Sequence, residues 1–190
     1  KVVERLATGP EACVRGMRRF GAELMMIRCD GRPQRWRRGE APVVFDTGRD
    51  EPVDVAVSKD GRRLAAAMPD RSIRVWDAST GAAVTTLRGH SDLVMAVAWS
   101  EDGRLASGSD ARPARVWDVA TGRSRVLRGH GRAVSAVQWE PGDLHLLTGA
   151  HDGTLRRWEV PSLAPRSAPA QRRALDEITS AAIAEDRPAT

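Results

Sequence analysis

The chain has 190 residues, 41% of them hydrophobic, with 17 glycines and 11 prolines, a composition that favours many short elements joined by tight turns. No apolar run reaches the roughly 18–20 residues that a membrane-spanning helix needs, and the first residues lack the pattern of a secretion signal. The two cysteines, Cys13 and Cys29, are too few for a disulfide framework and lack the spacing of a metal site, so we expect small buried or half-buried side chains in a cytoplasmic protein.

The formal net charge is +5, which raises the question of nucleic-acid binding. Of the 30 basic residues, only Lys1 and Lys59 are lysine, and the arginines are spread through every segment. This skew is typical of a GC-rich coding bias rather than of selection for phosphate contacts. The densest group of arginines surrounds Trp36 and consists of Arg32, Arg35, Arg37 and Arg38. We expect these side chains to form a solvated strand face. Nucleic acid is therefore a minor alternative as a partner, one that predicts steeply salt-dependent binding.

Four tryptophans recur at intervals of 40 or 41 residues: Trp36, Trp76, Trp117 and Trp158. Aligning the chain on them brings one leucine column and several turn signals into register, which indicates an internal repeat. In chain order we predict an outer strand of a preceding unit at 1–8, repeats at roughly 9–48, 49–89, 90–129 and 130–168, and the start of a further unit at 174–190. An amphipathic helix over Ala170 to Ala184 is the alternative for the last segment.

The third repeat shows the expected contents of each unit. Its alternating residues and its Asp102-Gly103 and Thr121-Gly122 turns predict four strands, which run from Val94 to Trp99, Arg104 to Ser109, Ala114 to Asp118 and Arg123 to Leu127. A four-stranded antiparallel sheet of this size cannot bury both faces alone, so neighbouring units must stack on it. The sequence therefore predicts an all-β protein, and radial stacking of such sheets is a β-propeller.

Two dipeptides carry a family resemblance. Trp76-Asp77 and Trp117-Asp118 form one pair, and Gly89-His90 and Gly129-His130 form the other. With these marks the chain resembles the WD-repeat, or β-transducin-like, family, and its Asp-Gly-Arg and Thr-Gly phrases are similar to bacterial WD arrays. Because a WD propeller usually has about seven blades, the resemblance implies an incomplete propeller here, of about four blades with partial blades on either side.

The resemblance also implies a structural role for the marked residues. In this family a histidine, a Ser or Thr, an Asp and a Trp form a hydrogen-bonded tetrad within a blade. The last repeat has all four, the third has Ala111 in the Asp column, and the second has Arg49 and Ala66 in the histidine and hydroxyl columns. We expect the incomplete blades to be less stable. By column the tetrad residues are His130, Thr148, Asp152 and Trp158, then His90, Ser107 and Trp117, then Asp70 and Trp76.

We expect no catalysis, metal or cofactor. Groupings such as Ser135, His130 and Asp152, or Ser91, His90 and Asp92, resemble a hydrolase triad only in sequence, and a triad is defined by geometry. The resemblance implies a protein-interaction scaffold that binds other proteins, or other domains of the same polypeptide, through loops at one end of the ring. The candidate surface residues are Leu93, Met95, Asp110, Ser135, His151 and Asp54, with Pro52, Pro69 and Ala133 beside them. The alternative function is a regulatory or sensor arm of a larger signalling enzyme, with a kinase or nucleotide-binding switch outside this chain.

Overall fold

A computed structural model describes residues 14–20, 23–28, 32–37, 40–48 and 50–161, and within these ranges it contains strands and no helix. The fifteen strands are β1 (Val14–Phe20), β2 (Glu23–Arg28), β3 (Pro33–Arg37), β4 (Val43–Val44), β5 (Asp54–Val57), β6 (Arg63–Ala67), β7 (Ile73–Asp77), β8 (Ala83–Leu87), β9 (Val94–Trp99), β10 (Leu105–Ser109), β11 (Ala114–Trp117), β12 (Ser124–Leu127), β13 (Val134–Trp139), β14 (His145–Ala150) and β15 (Leu155–Glu159).

Consecutive strands pair antiparallel to give four sheets, here called blades 1 to 4: β1–β4, β5–β8, β9–β12 and β13–β15. Blade 4 has three strands within the described residues, and the sequence places its fourth strand in a segment outside them. The predicted outer strand at 1–8, the predicted further unit at 174–190 and both cysteines also lie outside the described residues. The all-β prediction of four-stranded antiparallel blades in a partial β-propeller is confirmed.

The repeat fixes the same pairing in each blade. The column leucine on the second strand lies opposite the column tryptophan on the third, as in Leu64 with Trp76 and Leu105 with Trp117. The corresponding pairs in blades 1 and 4 keep this register. Because side chains alternate between the two faces of a sheet, this constant register places residues of the same repeat position on the same face of every blade.

Apolar cores lie between blades rather than inside them. One cluster joins Met25 and Phe45 of blade 1 to Trp76 of blade 2. A second joins Ile73 of blade 2 to Trp117 of blade 3, and a third joins blade 3 to blade 4. Each thin sheet therefore gains its stability by covering its neighbour, as expected for stacked repeats.

The first strands of blades 2, 3 and 4 lie side by side, and polar contacts repeat between them. The indole N–H of Trp99 donates to the carbonyl of Ala56 at 3.1 Å, and that of Trp139 donates to the carbonyl of Ala98 at the same distance. Gly108 of β10 lies so close to blade 4 that a Cβ there would sit 2.5 Å from the carbonyl oxygen of Val134. Backbone approaches of this kind require glycine.

The arginine patch around Trp36 differs from its prediction. Arg35 on β3 is buried, with 8% of its surface exposed, and its guanidinium pairs with Glu40 at 3.2 Å. Arg32 and Arg37 are exposed, and Arg38 lies outside the described residues. The prediction of a solvated strand face is therefore wrong for Arg35, because the first three residues of β3 are all buried and only Arg37, at the end of the strand, is exposed.

Candidate interaction surface and the hydrogen-bonded tetrads

Blade 4 brings four polar side chains into one chain of hydrogen bonds. The indole N–H of Trp158 donates to the hydroxyl oxygen of Thr148 at 2.7 Å, and this oxygen lies 2.7 Å from Nε2 of His130. Nδ1 of the same imidazole lies 3.2 Å from the carboxylate of Asp152. Since an ionised carboxylate only accepts, His130 carries its proton on Nδ1, and the Thr148 hydroxyl donates to Nε2.

The Asp152 carboxylate also ties down two backbone segments. Its Oδ2 accepts the amide of Gly131 at 2.7 Å, and its Oδ1 accepts the hydroxyl and the amide of Thr154 at 2.7 and 3.0 Å. The hydrogen bond from the Thr154 hydroxyl is the largest cause that lowers the pKa of Asp152, and the Gly131 amide follows. The carboxylate is therefore held ionised and joins the loop before β13 to the turn between β14 and β15.

Blade 3 keeps three of these groups. The indole N–H of Trp117 donates to the hydroxyl of Ser107 at 2.8 Å, and this oxygen lies 2.6 Å from Nε2 of His90. Nδ1 of His90 is buried without a hydrogen-bond partner, because the column that supplies Asp152 in blade 4 supplies Ala111 here. Burial, followed by the charge of Arg115, lowers the pKa of His90 to about 4.

Blade 2 uses its two marked residues separately. The carboxylate of Asp70 accepts the hydroxyl and amide of Ser72 and pairs with Arg74 at 3.5 Å. Trp76 packs edge-on against Phe45 of blade 1, with ring centroids 6.1 Å apart. In this blade, which lacks the histidine and the hydroxyl of the tetrad, the tryptophan thus makes an apolar contact with the neighbouring blade.

The triad-like groupings are not assembled. Nε2 of His130 contacts Thr148 rather than Ser135, and Nε2 of His90 contacts Ser107 rather than Ser91. The carboxylate of Asp92 accepts the amide of Leu93. The two histidines and the carboxylates of Asp92 and Asp152 are thus hydrogen-bonded to residues of the strands and loops.

The two sets of loops expected to form the interaction surface meet at one end of the blades. The amide of Asp110 donates to the carbonyl of Leu93 at 2.9 Å, and the amide of His151 donates to the carbonyl of Ala133 at 2.8 Å. In each case the loop before the first strand is bonded to the turn after the second strand. This turn projects side chains that the strands do not cover, since Asp110 and His151 are exposed.

The candidate surface residues differ in exposure. Leu93, Met95 and Ser135 are half-buried, and Pro69 is exposed. Pro52 and Ala133 are buried, so the expectation that these two contribute to a solvent-facing surface is wrong; each lies where the chain enters the first strand of a blade.

Asp54 has a different environment from the rest of the set. It is half-buried, and its Oδ2 accepts the amide of Val97 in blade 3 at 3.0 Å. Its carboxylate is therefore engaged between two blades.

A cleft of about 350 Å³ opens beside these loops, and sequence reasoning missed it. It lies between the turn after β10 and the loop that leads into β13, and its lining is Ala111, Arg112, Pro113, Arg128, Gly129 and His130. The available sequence signal was the replacement of the column Asp by Ala111, but the arginines that gather around it come from separate elements.

Within the described ranges, no group of histidine, cysteine, aspartate and glutamate side chains has the arrangement of a metal site. The same residues include no helix with the length and apolarity needed to cross a membrane.

The chain is similar to several curated proteins over part of their length. It is 32% identical over 141 residues to the DENN domain and WD repeat-containing protein SCD1 of Arabidopsis thaliana, which covers 73% of this chain and 12% of that protein. It is 25% identical over 143 residues to cell division cycle 20.1, cofactor of APC complex, of the same plant, covering 73% of this chain and 31% of that protein. It is 41% identical over 103 residues to nuclear distribution protein nudF of Emericella nidulans, covering 51% and 23%. The chain thus spans less than a third of the length of each of these relatives.

Among solved structures, the computationally designed Ika4 protein superimposes with a TM-score of 0.69 and 24% sequence identity, covering 81% of this chain and 95% of that one. This likeness concerns the fold alone. The family model "WD domain, G-beta repeat" matches residues 42–77, 81–118 and 122–159, which together make up more than half of the chain. The repeated register, the tetrad of blade 4 and this match agree, and the chain belongs to the WD40 repeat family.

Proposed function

We propose that this chain is a non-catalytic scaffold that binds partner proteins at the end of the blades where the two sets of loops meet. The observation that carries the proposal is that the polar residues fall into two groups, one bonded inside the blades and one exposed on the loops. The side chains that could act as acid, base or nucleophile are bonded within their blades, His130 to Thr148 and His90 to Ser107. Asp110 and His151, by contrast, project from the loops into solvent.

The half-buried apolar side chains at the same end supply the second support. Leu93 and Met95 flank Val94 at the start of β9 and are only partly covered by their own blade. Methionine adapts to varied partner surfaces, and an apolar centre with a polar rim is typical of protein interfaces. A relative that is described as a cofactor of a complex is consistent with this role.

The test is capture of partner proteins by the 190-residue chain and by variants with one end of the blades altered. Leu93→Asp and Met95→Asp should each weaken binding of a captured and then purified partner by about tenfold or more, since a buried charge without a partner is costly at an interface. Val84→Asp is the matched control, because Val84 is 49% exposed on β8, away from these loops.

Circular dichroism should show that all three variants remain folded. A purified partner that binds both loop variants and the wild type equally would remove Leu93 and Met95 from the surface, and hydrolytic or transferase activity of the chain itself would contradict the scaffold.

A second candidate function, the regulatory or sensor arm of a larger signalling enzyme, has one specific support. In the Arabidopsis protein SCD1 the region similar to this chain makes up 12% of the length, and that protein is named for a DENN domain as well as for WD repeats. Reading the coding sequence on both sides of residues 1 and 190 tests this candidate. A kinase or nucleotide-binding domain in the same frame supports it, and a complete propeller with no further domain rejects it.

The organisation of the chain is part of the proposal. We propose a single incomplete propeller over 1–190, with repeats at 9–48, 49–89, 90–129 and 130–168. We also propose that the protein is cytoplasmic and that its sequence is of bacterial type. The same coding sequence checks the number of repeats.

A further inference from the structure

We propose that blade 3 carries a carboxylate-binding cleft at Ala111, and that an aspartate or glutamate side chain of a partner protein enters it. The inference deepens the scaffold function proposed above and rests on it, because it names the chemistry by which one partner is recognised.

The neighbouring repeats show what position 111 would otherwise hold. Ala111 stands six residues before the column tryptophan of its blade, where blades 2 and 4 have Asp70 and Asp152. The Asp152 carboxylate accepts from Nδ1 of His130 and from the amide of Gly131, at 3.2 and 2.7 Å. The repeat therefore builds a set of donors around a carboxylate at this point.

In blade 2 the carboxylate at this position also pairs with two arginines. Asp70 lies 3.5 Å from the guanidinium of Arg74 on β7 and 3.7 Å from that of Arg88, which follows β8. The equivalents of these two arginines in blade 3 are Arg115 and Arg128. Arg115 stands two residues before the column tryptophan, and Arg128 stands two residues before the histidine of the next Gly-His dipeptide.

Blade 3 retains the donors and lacks the carboxylate. His90 is 8% exposed, and its Nδ1 is buried without a hydrogen-bond partner. Nε of Arg115 is buried without a partner as well, although another nitrogen of this guanidinium donates to Ser124 at 2.8 Å. Buried donors of this kind cost free energy when they are left unpaired. The neighbouring repeats supply the acceptor from the position that Ala111 holds here, and Ala111 lines the cleft.

Positive charges gather here without a matching negative charge. Burial, followed by the charge of Arg128, lowers the pKa of Arg115, and Arg115 in turn contributes to the lowered pKa of His90. Among the described residues no carboxylate lies within ion-pairing distance of Arg112, Arg115 or Arg128.

The acidic residues closest in sequence do not replace the missing group. The carboxylate of Asp92 accepts the amide of Leu93 at 2.8 Å, and Asp110 is exposed, with no ion pair to a described residue. The Asp70 carboxylate is shared by Arg74, Arg88 and Ser72 of its own blade.

The cleft has room for a side chain from outside. It measures about 350 Å³, has Ala111 and Gly129 as small lining residues, and has Arg112 and Arg128 in its walls. Guanidinium groups bind carboxylates through charge-assisted hydrogen bonds, which are about twice as strong as neutral ones. The chemistry of the cleft therefore matches an acidic segment of a protein.

The test uses fluorescein-labelled hexaglutamate as the probe and fluorescence anisotropy of the 190-residue chain as the measurement. Ala111→Asp places a carboxylate where the neighbouring repeats have one, so it should weaken hexaglutamate binding by about tenfold or more and raise the melting temperature by about 2 °C. Arg128→Ala should weaken binding to a similar degree.

Two controls match these variants in charge. Arg125→Ala removes one positive charge from an exposed position on β12, three residues before Arg128, and Ala82→Asp adds one negative charge at an exposed turn. Both should bind hexaglutamate within about twofold of the wild type, since exposed charges at a distance contribute little.

The proposal fails if the wild type does not bind hexaglutamate, if Arg125→Ala weakens binding as much as Arg128→Ala, or if Ala111→Asp changes neither binding nor melting temperature. It also fails if hexathymidylate binds more tightly than hexaglutamate, because the site would then favour a nucleic acid. If the cleft proposal fails but Leu93→Asp still weakens binding of a purified partner by about tenfold or more, the scaffold function stands, so the two failures are distinguishable.

Discussion

The hydroxyl of Thr148 is the centre of the blade 4 tetrad, and its removal should destabilise the protein. Thr148 is 0% exposed, and its oxygen bonds both the indole N–H of Trp158 and Nε2 of His130 at 2.7 Å. Valine has nearly the shape of threonine, so Thr148→Val exchanges the hydroxyl for a methyl group and leaves two polar atoms without their partner.

The magnitude follows from the burial of those two atoms. The bond to His130 is fully buried, and an orphaned buried group costs about 1–3 kcal/mol. Trp158 is half-buried, so water compensates part of its loss, and a contribution of about 1 kcal/mol remains. We expect Thr148→Val to lower the free energy of unfolding by about 2–4 kcal/mol, a large part of the about 5–15 kcal/mol typical of a whole domain.

Urea unfolding followed by tryptophan fluorescence measures this loss. Thr86→Val is the control, since Thr86 is exposed on β8, and its effect should stay within about 0.5 kcal/mol. A double-mutant cycle with Trp158→Phe should give a coupling energy of about 0.5–3 kcal/mol, because both changes break the same bond. A loss below about 1 kcal/mol for Thr148→Val, or zero coupling, would refute the tetrad as a stabilising unit.

Three further perturbations test contacts between and within blades. Gly108→Ala should lower the free energy of unfolding by about 1–3 kcal/mol, because its Cβ would lie 2.5 Å from the Val134 carbonyl oxygen. Gly149→Ala is the control: its Cβ would meet only an ordinary contact at 3.5 Å, so it should be nearly neutral, and calorimetry compares the two variants. Arg104→Met should cost about 2–4 kcal/mol in urea unfolding, since the buried guanidinium donates to carbonyls of blade 4 at 2.8 and 3.1 Å, and a loss no larger than that of the exposed Arg125→Met would contradict this role. Because the pKa of His90 is lowered to about 4 in the folded chain, the unfolded chain binds more protons than the folded chain as pH falls below about 6.5. The free energy of unfolding should therefore decline from pH 6.5 towards pH 4, and a His90→Asn variant should lose this pH dependence between pH 7 and 5.

The strands could be predicted because each repeat marks its own turns. The predicted strand from Val94 to Trp99 has the bounds of β9, and the next predicted strand differs from β10 only by Arg104 at its start. Arg104 lies between the turn and the strand, and its amide is bonded to the hydroxyl of Ser100 at 2.7 Å. Local turn chemistry of this kind is contained in neighbouring residues and is therefore visible in the sequence.

The contacts between blades could not be predicted in the same way. An alignment of repeats shows which residues are equivalent, but it does not show which residues of successive repeats touch. Arg104 reaches across to Asp143 and Val160 of blade 4, and its column neighbour in blade 4 is His145, which instead contacts Arg157 and Glu140 of its own blade. Side chains that differ from repeat to repeat leave no periodic signal.

The sequence shows the replacement at Ala111 as a missing aspartate in one repeat, but only the three-dimensional structure shows its consequence. From the sequence, the gap predicts only a weaker blade. In the structure, the gap coincides with unpaired buried nitrogens of His90 and Arg115 and with the guanidinium of Arg128 beside a cleft. Arginine side chains are long, so the sequence position of their backbone does not determine where their charge lies.

Blade 3 can carry this defect because its fold does not depend on the tetrad alone. Trp99 and Trp139 bond across both of its boundaries, and Trp117 is 1% exposed within an apolar cluster shared with blade 2. A column that stabilises one repeat can therefore change in the next repeat at a cost that the neighbouring blades tolerate. Ala111→Asp should therefore increase stability at the expense of binding, which is the trade-off expected where a stabilising residue has been replaced at a binding site.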